Sequence, residues 1–80
     1  MAKPTLTSNQ IQAELQRQVN NIQEIREDDA NVIVPAPYLH ERDELGCNWN
    51  ISSIRGGNGY MGAIGRIVSI YRMQVDLTDD

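Results

Sequence analysis

His40, Glu41, Asp43, Glu44 and Cys47 fall within eight residues, a dense run of chemistry-bearing side chains. A metal needs ligands of matched softness at a fixed geometry, and one His with one Cys is half of a zinc set. The other half would have to come from a second subunit. The same two residues could also act as base and nucleophile, His40 taking the proton of Cys47. No third group is evident to orient the base, and no oxyanion hole can be identified. A small metal-dependent enzyme built on His40 and Cys47 is therefore the weakest reading. Cys47, two residues from Trp49, reads better as a small apolar residue under the core. The expectation is a protein with no catalytic residue, no metal and no cofactor.

Gly57-Asn58-Gly59-Tyr60-Met61-Gly62 matches G-x-G-x-x-G. In a dinucleotide-binding fold such glycines let a pyrophosphate approach a helix N-terminus. That fold also needs parallel strands on either side and an acidic residue about 20 positions on. Asp76 lies at a suggestive distance, but nothing follows from which to build the sheet. A glycine-rich turn is the better reading, although its free N–H groups could receive an anion or a partner's carboxylate. Arg55-Gly56-Gly57 is a single triplet, whereas nucleic-acid binding by such segments needs many copies with interleaved aromatics. Asn50-Ile51-Ser52 fits a glycosylation sequon, but no secretion signal accompanies it.

The element that must organise these residues is the last third, Asn58 to Leu77, predicted as one helix capped by Asn58. Ile64, Ile67, Val68, Tyr71 and Val75 recur at the spacing of one helical stripe, with Tyr60 and Met61 at its start. Gly62, Gly65 and Ser69 share another side. A glycine inside a helix costs up to ~1 kcal/mol relative to alanine, and close approach of a second backbone would be a reason for two. That side is the expected oligomer face, and Ile70 and Met73 off the main stripe favour a partner there.

The rest of the chain should cover these faces. Residues 1–5 are expected to be a frayed tail and 6–80 a single domain. Thr7 and Gln10 make a capping box, and Leu6 and Ile11 sit at the positions of a hydrophobic staple. Ile11, Leu15, Val19 and Ile22 then form a narrow stripe on a helix running to about Arg26. Its other positions are rich in amides: Gln10, Gln12, Gln16, Gln18, Asn20, Asn21 and Gln23. Glu27, Asp28 and Asp29 belong in the following turn, because the helix dipole disfavours them in the last helical turn. Asn31 to Pro37 reads as a short strand closed by prolines, Tyr38 to Gly46 as a polar connection, and Asn48 to Ser52 as a half-buried strand with Trp49 and Ile51 on one face. The fold class is α+β, in the order α-β-β-α, with two helices packed on a short antiparallel sheet. Its core should hold Ile11, Leu15, Val19, Ile22, Val32, Val34, Trp49, Ile51, Ile64, Ile67, Val68 and Tyr71.

Eighty residues make one small domain with a marginal core. One cysteine forms no intrachain disulfide, and a reducing compartment is the simplest reading. The N-terminus has no apolar run, and no stretch approaches the ~18 apolar residues that a membrane span needs. A cytoplasmic protein is expected. Eleven acidic residues against seven basic ones give a net charge of −4, which opposes direct binding to nucleic acid. Six of the basic residues are arginine, the residue suited to a defined contact. The acidic runs, Glu27 to Asp29, Glu41 to Glu44 and Asp76 to Asp80, read first as solvated surface. A sharper reading makes them phosphate surrogates in an acidic nucleic-acid mimic that binds a basic host protein.

At Pro35-x-Pro37, at Gly46-Cys47-Asn48-Trp49, and at Tyr71-Arg72 with Val75-Asp76-Leu77, the chain resembles small uncharacterised accessory proteins encoded by bacteriophages and prophages. The resemblance covers roughly the second half and carries no active site. It implies stoichiometric binding to a host protein in the bacterial cytoplasm, including inhibition of host defence. The reading reached is a non-enzymatic protein-interaction module, expected as a homodimer, that occludes a host protein. Its contact residues are expected at Glu41, Arg42, Asp43, Glu44, Arg55, Asn58 and Tyr60, and its oligomer face at Gly62, Gly65 and Ser69.

Overall fold

Thr7 starts the first helix as its residue type dictates. The computed structural model, which describes residues 3–78, places α1 at Ser8–Asn20. The Thr7 hydroxyl accepts from the Gln10 amide, and the Gln10 side chain accepts from the Thr7 amide, so the capping box is complete. Ile11, Leu15 and Val19 are fully buried along one stripe. The helix does not continue to Arg26 as expected. Asn20 and Asn21 are poor helix formers whose short amides compete for the backbone, and Ile22 turns extended (ψ 127°). A separate short helix α2, Gln23–Asp28, then swings Ile25 into the core. Glu27 and Asp28 lie in its last turn rather than beyond it, and Asp29 ends it in the left-handed region (φ 52°).

The amide-rich side of α1 has a structural purpose. Val32 and Val34 point inward and Ile33 outward, as a strand would place them, but no regular strand forms over residues 31–37. Ile33 makes a single antiparallel bridge with Arg55. On the other edge, side chains replace the neighbouring strand. Gln12 Nε2 donates to the Val34 carbonyl at 2.9 Å. Gln16 Nε2 donates to the Val32 carbonyl at 2.8 Å, and its Oε1 accepts from the Val34 amide at 2.9 Å. These buried backbone groups must be paired, and glutamines one helical turn apart reach them.

The antiparallel pair between the helices is displaced from its expected position. Strand β2, Tyr38–Leu39, lies in what the sequence marks as a connection, and β3 is Trp49–Asn50. Tyr38 faces Asn50, and Leu39 faces Trp49. Helix α3 spans Met61–Gln74, shorter at both ends than expected. Asn58 does not cap it. Tyr60 occupies the N-cap position without a side-chain cap.

After Gln74 the chain turns extended, and β4, Asp76–Leu77, pairs in parallel with β1, Thr5–Leu6. The frayed tail expected over residues 1–5 is corrected on this point. Thr5 is in a strand, and the Lys3 ammonium donates to the Gly46 carbonyl at 2.9 Å and pairs with Asp76 at 3.1 Å. Met1, Ala2, Asp79 and Asp80 lie outside the described residues.

The fold is thus α+β, with α1 packed on α3 and a core centred on Trp49. The Trp49 ring meets Tyr71 edge-on at 6.1 Å between centroids. Of the expected core, Ile51 and Ile67 are only half-buried, while Ile25, Cys47, Val75 and Leu77 join it. Among the described residues, no helix is long and apolar enough to cross a membrane.

Candidate functional site

The residues expected to make contacts divide between two ends of α3. At its C-terminal end, Arg72 donates from Nη2 to the Asp43 carboxylate at 2.9 Å and from Nε to the Trp49 carbonyl at 2.7 Å. Asp43 also accepts from the amides of Leu45 and Cys47 through its other oxygen. The Cys47 amide, opposed by partial burial and reinforced by Leu45 and Arg72, holds the Asp43 carboxyl below the usual carboxylate range. Arg42 pairs with Asp76 at 3.1 Å and donates to the Gly46 carbonyl. Burial pushes the Asp76 carboxyl up, but hydrogen bonds from Arg42 and Lys3 outweigh it and leave the group lowered. Arg42 and Asp43 are therefore engaged in holding the 40–47 loop to β4 and to the last turn of α3. Glu41 and Glu44 are exposed.

At the N-terminal end, the Tyr60 hydroxyl donates to Asp28 at 2.6 Å, tying α3 to α2. Arg55 and Asn58 are exposed, and Arg55 uses its backbone to pair with Ile33. Twelve positions of helix separate Tyr60 from Arg72, about 18 Å at 1.5 Å per residue. The two expected contact segments do not converge on one site.

In the cluster that suggested metal or nucleophile chemistry, Asp43 and His40 both meet the Arg72 guanidinium and Asp43 accepts from the Cys47 amide. Cys47 is 1% exposed. His40 is directed elsewhere, with Nδ1 at the Glu41 carbonyl and Nε2 at 3.4 Å from the Arg72 guanidinium. Among the described residues no three His, Cys, Asp or Glu side chains are grouped to hold a metal ion.

What the fold does assemble lies along α3. At about 100° per residue, Gly62, Gly65, Arg66, Ser69, Ile70 and Met73 fall on the side away from Ile64, Val68 and Tyr71. All six are exposed. A Cβ added to Gly62 or Gly65 meets nothing within 4 Å, so among the described residues no backbone approaches the small-residue side expected to receive one. Ile70 and Met73 are each 57% exposed and Met61 is 52% exposed.

Beside this face runs a groove of about 300 Å³ between α3 and the Asn50–Ile54 segment. Ile64 and Val68 lie at its base, and Met61 and Arg72 line it as well. Nothing in the sequence reading marks Ser53 and Ile54 as part of a groove wall. The strand expected over Asn48 to Ser52 is regular only at Trp49–Asn50.

Charge is unevenly distributed around this surface. Residues 45–75 contain three arginines and no acidic residue. Among the described residues Arg55 and Arg66 form no ion pair, whereas Arg72 is held by Asp43. The first turn of α3 has neither a side-chain cap nor an acidic residue of its own, and its N-cap residue Tyr60 donates to Asp28 of α2. Compared with protein-family profiles, with curated proteins and with solved structures, the chain finds no match in any of the three.

Proposed function

We propose that this chain is a non-enzymatic binding module that acts by covering a surface of another protein. The observation that carries the reading is the outward side of α3, where Ile70 and Met73 stand exposed with Arg66 as the one charged residue among them. Exposed apolar groups of this kind, rimmed by polar residues, mark contact surfaces. The resemblance to phage-encoded accessory proteins extends the reading to occlusion of a bacterial host protein. An acidic mimic draws less support, because Asp43 and Asp76 are neutralised within the chain by Arg72, Arg42 and Lys3.

The test is a nuclease-treated pull-down from bacterial lysate, with the wild type beside an Ile70→Glu, Met73→Glu variant. One host protein recovered at equal stoichiometry with the wild type and lost with the variant is the expected result. Equal recovery by both would place the contact elsewhere. No stoichiometric protein in either would end the reading.

A further inference from the structure

We infer that Asn58–Gly59 is a self-modifying site, where the Gly59 nitrogen closes on the Asn58 side chain and water opens the imide to aspartate or isoaspartate. The isoaspartyl product loosens the tie between α3 and α2. This inference does not depend on the binding-module reading.

The reaction needs a side-chain amide, a following residue with no Cβ in the way, and a backbone nitrogen free of hydrogen bonds. Asn58 is the one asparagine of the chain's seven that a glycine follows. Both residues are exposed. Gly59 holds φ at +94°, and nothing lies within 4 Å of where a Cβ would stand. Among the described residues, no backbone oxygen accepts from the Gly59 amide.

The other asparagines are placed differently. The amides after Asn9, Asn20 and Asn21 donate to the Thr7 hydroxyl and to the carbonyls of Gln18 and Val19. Both polar atoms of the Asn48 side chain are bonded to Leu77. Asn31 and Asn50 precede Val32 and Ile51, whose branched Cβ crowds the nitrogen.

Water is the only co-reactant. As its proton leaves to solvent, the Gly59 nitrogen bonds to Asn58 Cγ; the Cγ–Nδ2 bond breaks and ammonia departs. Water then adds to either imide carbonyl. Cleavage of the bond from nitrogen to Cγ gives aspartate and restores the ordinary peptide. Cleavage of the bond from nitrogen to the main-chain carbonyl gives isoaspartate, in which the chain runs through Cβ and Cγ.

The two products act differently on the fold. The Tyr60 amide donates to the Gly57 carbonyl at 2.9 Å, closing a turn around the reacting pair. Gly57 is buried, and a Cβ there would come within 3.1 Å of Met61 Sδ and 3.3 Å of Ile64. An isoaspartyl link puts an extra backbone atom inside this turn. With Gly57 held by its neighbours, the displacement falls on Tyr60, whose hydroxyl bonds Asp28 of α2. Aspartate adds the charge without the extra atom and leaves the turn closed.

The test is ageing of the full-length protein in neutral buffer, folded and in urea, followed by peptide mapping that separates aspartate from isoaspartate. In the folded protein, Asn58 should deamidate at least about tenfold faster than any other asparagine and give both products. Its rate should stay within about tenfold of the rate in urea. Asn58→Gln, at an exposed position, should fold as wild type and stay unmodified there. A folded-state rate below those limits would overturn the site. In ¹⁵N spectra, the isoaspartyl fraction should shift the amide signals of Tyr60 and Gln23–Asp28, whereas Asn58→Asp should leave those of α2 in place. Unshifted α2 signals in the isoaspartyl fraction, or equal shifts in Asn58→Asp, would overturn the effect on α2.

Discussion

The indole N–H of Trp49 donates to the carbonyl of Val75 at 3.0 Å, in a site with no exposed indole surface. That bond joins β3 to the residue where α3 ends and the chain turns extended. Val75 lies just beyond the last helical residue, where carbonyls lack helical partners. Trp49 thus fills the core and satisfies a backbone acceptor in the same place. Arg72 bonds the Trp49 carbonyl, so the link runs in both directions.

Trp49→Phe should therefore cost more than lost area alone. It leaves a buried carbonyl unpaired, about 1–3 kcal/mol, and opens a cavity where the larger ring stood. The expected loss is about 2–4 kcal/mol, read from urea unfolding by circular dichroism. A change below about 1 kcal/mol would show that water or a shifted neighbour replaces the indole donor.

Gln16 should behave as a core residue although it sits on the polar side of α1. Gln16→Ala removes two hydrogen bonds to the nearly buried Val32–Val34 backbone, at an expected cost of about 2–3 kcal/mol. Gln16→Glu keeps the acceptor for the Val34 amide but aims a carboxylate at the Val32 carbonyl, so it should also destabilise. Gln18 bonds only the side chain of Glu14, and Gln18→Ala should fall within about 0.5 kcal/mol of wild type. Equal effects at positions 16 and 18 would remove the idea that side-chain amides stand in for a strand.

This ladder marks the boundary of what the residues alone could reveal. Local signals were readable: the Thr7–Gln10 box, the Ile11–Leu15–Val19 stripe, the inward Val32 and Val34, and the Ile64–Val68–Tyr71 face. Each depends on a few neighbouring residues. The glutamine excess on α1 was visible, but its partner lies some eighteen residues away and could not be inferred from periodicity. The β1–β4 pair is two residues long on each side, too short for any pattern, and it depends on bringing the two ends of the chain together. The break at Asn21 was hidden because Ile22 and Ile25 continue a plausible helical spacing. For the candidate surface, the sequence marks Gly62 and Gly65 through the helix propensity they give up. Whether a neighbour fills the space they leave is a question of tertiary placement, and among the described residues none does.

Stability should fall on the acid side, with the sign set by lowered carboxyls. Hydrogen bonds from Arg17, then Gln18, bring Glu14 down to about 2, and Asp43 and Asp76 are lowered by the contacts described above. A carboxyl lowered in the folded state favours that state when ionised. Its contribution is complete above the unfolded value, about 4, and is lost as pH falls through the folded value. The urea midpoint should thus be level in this respect from about pH 7 to 5 and decline below about pH 4. Asp76→Asn, which unpairs Lys3 and Arg42, should lower the midpoint at pH 7 and converge on wild type as acid protonates the Asp76 carboxyl. Glu14→Gln should change little, since the pair with Arg17 is solvent-exposed and screened. An Asp76→Asn curve parallel to wild type at every pH would show that this ion cluster does not support the fold.

The glycines should separate by sign. Gly56 holds φ at +76°, and a Cβ there would run into the carbonyl of Asn31. Gly56→Ala should therefore cost at least about 2 kcal/mol. Gly62 and Gly65 have ordinary helical backbone and open space around an added Cβ. Replacing either by alanine should stabilise the isolated protein by about 0.5–1 kcal/mol, through helix propensity alone. Glycines that cost the monomer stability and obstruct nothing within it have their use outside it, if they have one. Thermal unfolding of the three alanine variants decides the matter. Stabilisation at positions 62 and 65, together with weakened partner capture, would locate the contact on α3. Destabilisation there would mean that α3 is already close-packed on that side and that the proposed docking face does not exist.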